Sequence, residues 1–80
     1  MRIDKYLKNS RLIKRRTVAK DACEEERVFL NEKPAKPGAE VKEGDEIRIR
    51  FGGSEIKVRV CSVQEHVKKE DAAGMYEVIQ

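Results

Sequence analysis

The sequence predicts an α/β chain of the α+β class, with two N-terminal helices packed on a small twisted antiparallel sheet. Three observations carry this. Through about residue 25 the apolar residues recur at helical spacing, whereas from Arg27 onward they alternate with polar ones at the period of a strand. Gly52-Gly53-Ser54 then separates two alternating runs, as a hairpin connection would. Eighty residues make one domain over 1–80, and a chain of this size buries only about 60% of its unfolded surface, so the core is small.

The elements follow in order. Ile3 and Leu7 stand four apart on one face, with Asp4 in the first turn, where the helix dipole favours a carboxylate. The pattern breaks at Asn9-Ser10, residues suited to a helix end. Leu12 and Ile13 fill the gap before a second helix, which runs from Arg15 or Arg16 to Glu25. Its apolar stripe is Val18, Ala19, Ala22 and Cys23. Glu24-Glu25-Glu26 places three carboxylates at the negative end of the dipole, which reads as a solvated helix end.

Val28-Phe29-Leu30 is a short strand, Asn31–Pro34 a turn, and Lys36–Asp45 a loop with two turn signals. Ile47, Ile49 and Phe51 alternate with Arg48 and Arg50, and Ile56, Val58 and Val60 with Lys57 and Arg59. Cys61 and Val63 continue on the other parity, so a bulge or strand end falls after Val60. Lys68–Gly74 reads as a helical turn and Met75–Ile79 as a closing strand. The core motif covers about residues 1–50; the hairpin and a C-terminal extension cover about 51–80.

Charge is distributed unevenly. Arg2, Lys5, Lys8, Arg11, Lys14, Arg15, Arg16 and Lys20 are eight cations against Asp4 alone, a balance of +7 within twenty residues. The other sixty residues hold ten cations and fourteen anions, a balance of −4. A cationic lobe on an anionic body suits a polyanion docking on one face. Lysine and arginine neutralise phosphates and release counterions, and arginine adds a planar fork that grips phosphate through two nitrogens. Lys14-Arg15-Arg16 stands where the second helix begins, so its free N–H groups point at the same anion. These eight cations are the candidate nucleic-acid-binding residues, for RNA or DNA, with Asp4 and Thr17 supporting them. Arg48, Arg50, Lys57 and Arg59 form a possible second contact, for RNA or for an acidic protein partner. With few aromatics to stack on bases, such a face reads shape and phosphate position rather than sequence. Tyr6, beside Ile3 and Leu7, is expected to be partly core.

Other classes find little support. His66 stands alone, without a nucleophile fixed by any motif, and reads as a surface or packing residue. Gly52-Gly53 lacks the Gly-Lys-Ser/Thr of a phosphate loop. Cys23 and Cys61, with one histidine, leave a Cys/His zinc set one ligand short. The expectation is two buried or half-buried thiols in a reducing compartment, no metal, no cofactor and no enzyme. No apolar run approaches the ~20 residues of a membrane span, and no secretory apolar stretch follows the basic start, so the expected location is the cytoplasm.

Arg2-Ile3-Asp4-Lys5-Tyr6-Leu7, Arg16-Thr17-Val18-Ala19-Lys20, Arg27-Val28-Phe29-Leu30-Asn31 and Gly44-Asp45-Glu46-Ile47, in that order, resemble the S-four RNA-binding domain over about residues 1–50. Ser10–Thr17 and the tail Lys68–Tyr76 further resemble the bacterial ribosome-associated quality control protein P (RqcP) family, a relative of the ribosome-associated heat-shock S-four proteins. That resemblance implies binding to the large ribosomal subunit obstructed by peptidyl-tRNA, through ribosomal RNA and the tRNA. It also implies support of C-terminal alanine tailing with a quality-control elongation factor as partner; the chain itself is expected to be a monomer when free. It places Arg2, Asp4, Arg11, Lys14, Arg15 and Arg16 in the basic motif, with Arg16 at the signature arginine. A heat-shock or biogenesis role on ribosomal RNA is the alternative.

The sequence departs from the family pattern where glycine is usual, before the Arg-Val strand and after its asparagine; here stand Glu26 and Glu32. A left-handed backbone costs a non-glycine residue roughly 1 kcal/mol or more, so these positions predict turns of another geometry. The usual Ser or Thr cap before the signature arginine is replaced by Arg15, so helix capping must come from elsewhere.

Overall fold

The computed structural model describes all residues, Met1–Gln80. Helices α1 (Ile3–Asn9) and α2 (Arg16–Glu24) precede strands β1 (Val28–Leu30), β2 (Lys33–Pro34), β3 (Glu46–Phe51) and β4 (Ser54–Val60). A 3₁₀ helix (Lys69–Met75) and strand β5 (Tyr76–Val78) follow. The sheet is antiparallel throughout, in the order β2-β1-β3-β4-β5. No helix is long and apolar enough to cross a membrane.

Strand register divides the sheet into two unlike faces. Leu30, Ile47 and Val58 lie opposite one another across β1, β3 and β4, as do Val28, Ile49 and Ile56. This is the face the helices cover. Ile3, Tyr6 and Leu7 of α1 and Ala19, Ala22 and Cys23 of α2 join Val28, Ile47, Ile49, Val58, Val60 and Met75 in one apolar cluster. The Tyr6 hydroxyl donates to the Met75 carbonyl at 2.7 Å, satisfying a buried polar group. Tyr6 is therefore wholly core, not partly, and is closed to base stacking.

Two apolar expectations need correction. Val18 is 46% exposed, because the small side chains of Ala19, Ala22 and Cys23 make a narrow contact and leave Val18 on the flank. Cys61 is exposed rather than half-buried, since Val60 points inward and strand parity turns its neighbour outward. Cys23 is buried as expected; burial, with help from the carboxylates of Asp4 and Glu24, pushes its thiol up to about 11.

The turns flanking β1 keep the left-handed geometry that their glutamates argued against. Glu26 has φ 58°, Asn31 φ 51° and Glu32 φ 70°. At the end of α2 the Glu26 N–H donates to the Cys23 carbonyl at 3.1 Å and the Arg27 N–H to the Ala22 carbonyl at 2.9 Å. This doubly bonded left-handed stop satisfies the last helical carbonyls whatever residue sits at its centre. Asn31 and Glu32 form a two-residue turn with φ positive at both positions. What reads as a turn over Asn31–Pro34 is thus a hairpin, with Lys33-Pro34 paired to β1 as a short edge strand. Asn31 is fixed by its own side chain, which accepts from the Glu46 N–H at 3.0 Å and donates to Asp45 at 3.2 Å.

Glu32 has a compensating contact that Glu26 lacks. Arg48 and Lys57 lie directly opposite each other on β3 and β4, a like-charge pair that destabilises a sheet. The Glu32 carboxylate stands 3.5 Å from both Arg48 Nε and Lys57 Nζ, and so neutralises it. Glu26 makes no ion pair. Glu26→Gly should therefore stabilise the domain by about 1 kcal/mol, raising Tm by roughly 4–8 °C in a thermal melt. Glu32→Gly should leave Tm nearly unchanged in low salt, because relieved backbone strain is offset by the exposed Arg48–Lys57 repulsion.

Candidate nucleic-acid interface

The first residues of the chain converge on one carboxylate. Main-chain bonds from Ile3 N–H to the Ala39 carbonyl (2.8 Å) and Val41 N–H to the Met1 carbonyl (2.8 Å) tie the N-terminus to the loop before β3. Arg2 is thereby held extended at the head of α1, with its guanidinium over the backbone of Gly38. The Asp4 side chain is only 3% exposed. Arg2 donates to it through two nitrogens, Nε to Oδ1 at 3.2 Å and Nη2 to Oδ2 at 3.1 Å. Arg16 Nη2, from the first residue of α2, stands 3.4 Å from Oδ1. The Lys5 N–H completes the shell at 2.7 Å.

Burial pushes the Asp4 carboxyl upward, but the Arg2 hydrogen bonds, the Arg16 charge and the Lys5 amide outweigh it. The group is held below the ordinary carboxylate value. Asp4 thus orients two cations at once and leaves both guanidinium groups about half exposed, at 53% and 48%. A guanidinium fixed on one edge still presents donors to a phosphate on the other.

The remaining candidates divide into three groups. Lys8, Arg11, Lys14, Arg15 and Lys20 are exposed and enter no ion pair. Arg15 is the extended residue before α2 and offers no side-chain cap, so the first N–H groups of that helix stay open beside it. Thr17 is exposed in the same turn. Lys5 is bound to the Glu65 carboxylate, whose titration its hydrogen bond and charge lower. Sequence reasoning could not anticipate this pair, because sixty residues separate its members.

The third group lies on the outer sheet face. Arg59 sits opposite Glu46 on one side and Glu77 on the other, and pairs with both at 3.6 and 3.5 Å. Lys57 reaches Glu32 and Glu46, and Arg48 reaches Glu32 and Glu55 while stacking over Phe29 at 4.2 Å. Arg50 stands 4.0 Å from Glu55. Four cations thus face four carboxylates, and the face carries no net charge.

The S4 domain family matches residues 1–47, which include the Arg2–Asp4–Arg16 cluster, both flanking turns of β1 and the start of β3. An RQC P-site tRNA stabilizing factor of Halalkalibacterium halodurans is 55% identical over 98% of this chain and 89% of its own length. A protein of the same name from Bacillus subtilis is 46% identical over 100% of this chain and 93% of its own. Among solved structures, a trimeric heat shock protein 15 of Vibrio cholerae superposes with a TM-score of 0.89 at 28% identity, covering 98% of this chain and 80% of that one. The chain belongs to the S4 domain family, and within it to the RQC P-site tRNA stabilizing factors.

Asp4→Asn should lower stability by about 1–2 kcal/mol at pH 7, charged hydrogen bonds being worth ~1.5–3 kcal/mol before discounting for half-exposed arginines. Because the folded Asp4 carboxyl titrates below its unfolded value, this contribution is complete above about pH 4 and is lost as pH falls through the folded value. Thermal melts of both proteins should differ at pH 7 and draw together as the pH falls below the ordinary carboxylate range.

Proposed function

We propose that this protein is a noncatalytic RNA-binding factor of the large ribosomal subunit, which holds tRNA in the P site while an obstructed nascent chain is processed. The observation that carries this reading is the buried Asp4 carboxylate presenting Arg2 and Arg16 side by side. Five further unpaired cations stand in the same twenty residues. The names of the relatives at 46–55% identity supply the tRNA and the quality-control setting. Support of C-terminal alanine tailing, together with a quality-control elongation factor, belongs to the same proposal. So do contact with ribosomal RNA, action as a monomer and residence in the cytoplasm.

The chemistry is positional. A ribonucleotide backbone offers paired phosphate oxygens at fixed spacing, and two guanidinium groups already aligned on one carboxylate meet them with little loss of side-chain freedom. Arg15 and the uncapped N–H groups of α2 extend the positive surface. The hairpin cations Arg48, Arg50, Lys57 and Arg59 argue against a second polyanion contact, since each already meets a carboxylate within 4.0 Å. The same pairing weakens the protein-interaction reading of that hairpin. A heat-shock or biogenesis role is the second reading, favoured by the close superposition on heat shock protein 15.

Arg16→Glu should abolish cosedimentation with large ribosomal subunits, a loss of roughly tenfold or more in affinity, while leaving the circular dichroism spectrum intact. Undiminished binding by this variant would remove Arg16 from the site. For five to seven phosphate contacts, log affinity should fall against log salt with a slope of about −3 to −5. A flat salt response would favour a protein partner.

A further inference from the structure

The unpaired cations at the far end of α1 surround a cleft. It holds about 220 Å³, several times the ~30 Å³ share of one water, and lies between two walls. Lys8, Asn9, Arg11 and Lys14 form one wall, and Glu65–Val67 the other. Asn9 fixes the second wall by donating from its amide to the carbonyls of Gln64 and Glu65, both at 3.1 Å. Glu65, the one carboxylate in the lining, is engaged by Lys5 outside the lining set. Three cations therefore face this cavity against a single carboxylate, Glu65, which Lys5 already engages.

The backbone adds an independent observation. Arg11 stands in the left-handed region, with φ 65°, where it closes α1 through its N–H to the Lys8 carbonyl at 3.1 Å. Glycine is the favoured residue at such a helix stop, and a side chain there strains the chain. Glu26 closes α2 with the same backbone, so what distinguishes Arg11 is that its exposed, unpaired side chain lines the cleft. Non-glycine residues in this region cluster at binding sites. His66, on the opposite wall, adds a ring nitrogen to the donor set.

We infer that this cleft seats one phosphate group of the bound RNA backbone, as a subsite separate from the Arg2–Asp4–Arg16 cluster and walled by the C-terminal segment. The inference rests on the RNA-binding reading above and adds Asn9 and His66 to the site. The ligand chemistry is a tetrahedral phosphate oxyanion held by three cations, and free inorganic phosphate shares it.

The variant Arg11→Gly separates binding from folding, because it removes a cation and relieves a strained backbone together. Tm should rise by a few degrees, while affinity for large ribosomal subunits falls several-fold and the salt slope shrinks by about 1. Lys14→Gln should weaken binding similarly with Tm unchanged. Titration of the full chain with inorganic phosphate should move the amide resonances of Arg11, Lys14 and His66 only weakly. Unchanged subunit binding by both variants, with Arg16→Glu still inactive, would overturn the subsite and leave the RNA-binding reading standing. Tight saturation of those resonances by inorganic phosphate, again with subunit binding unchanged in the variants, would assign the cleft to free phosphate and overturn the inference. If the wild-type chain itself fails to bind subunits, both readings fall together.

Discussion

A carboxylate almost wholly withdrawn from water and bound to two arginines is the contact on which the rest of this structure turns. Asp4 is buried because α1 packs its first turn against the loop before β3, and a buried anion needs cationic partners. Arg2 and Arg16 supply them from the head of each helix. The bond pattern therefore links the heads of α1 and α2 and leaves two guanidinium groups half exposed. Packing and presentation are coupled here: the apolar cluster holds the helices together, and the carboxylate holds the two guanidinium groups in place.

The distribution of ion pairs divides the molecule into an active face and a quiet one. Nearly every arginine or lysine of the sheet has a carboxylate placed by strand register, as Arg59 between Glu46 and Glu77 illustrates. Where register brings two cations together, at Arg48 and Lys57, Glu32 crosses from the neighbouring turn to neutralise them. The helical lobe has no such partners beyond Asp4 and Glu65. Exposed surface pairs contribute little stability, so the pairing on the sheet matters mainly for where the field is cancelled. Positive charge is left uncancelled on one side only.

Much of this was legible in the sequence. The change from helical to alternating spacing at Arg27, the Gly52-Gly53 hairpin, the stop after Val60 and the closing strand all correspond to observed elements, because local periodicity reports which side of an element is buried. The first twenty residues, rich in cations, remain largely without carboxylate partners in the folded chain, because they hold only one anion of their own. What escaped was long-range or conformational. No local pattern links Lys5 to Glu65, or Asn9 to the carbonyls of Gln64 and Glu65. The left-handed turns at Glu26 and Glu32 escaped because backbone hydrogen bonds and a distant ion pair outweigh a residue's own preference. Cys61 lies exposed because parity turns it away from the face of Val60, and Val18 because the small side chains of Ala19, Ala22 and Cys23 narrow the helix contact.

A double-mutant cycle on Asp4 and Arg16, read as affinity for the large ribosomal subunit, tests the central claim most directly. If Asp4 works by holding Arg16 and Arg2 in place, then Asp4→Asn and Arg16→Gln should be strongly non-additive, the double variant losing little more than the worse single one. Strict additivity would mean that the carboxylate and the arginine act separately, and the account of one shared grip would be wrong.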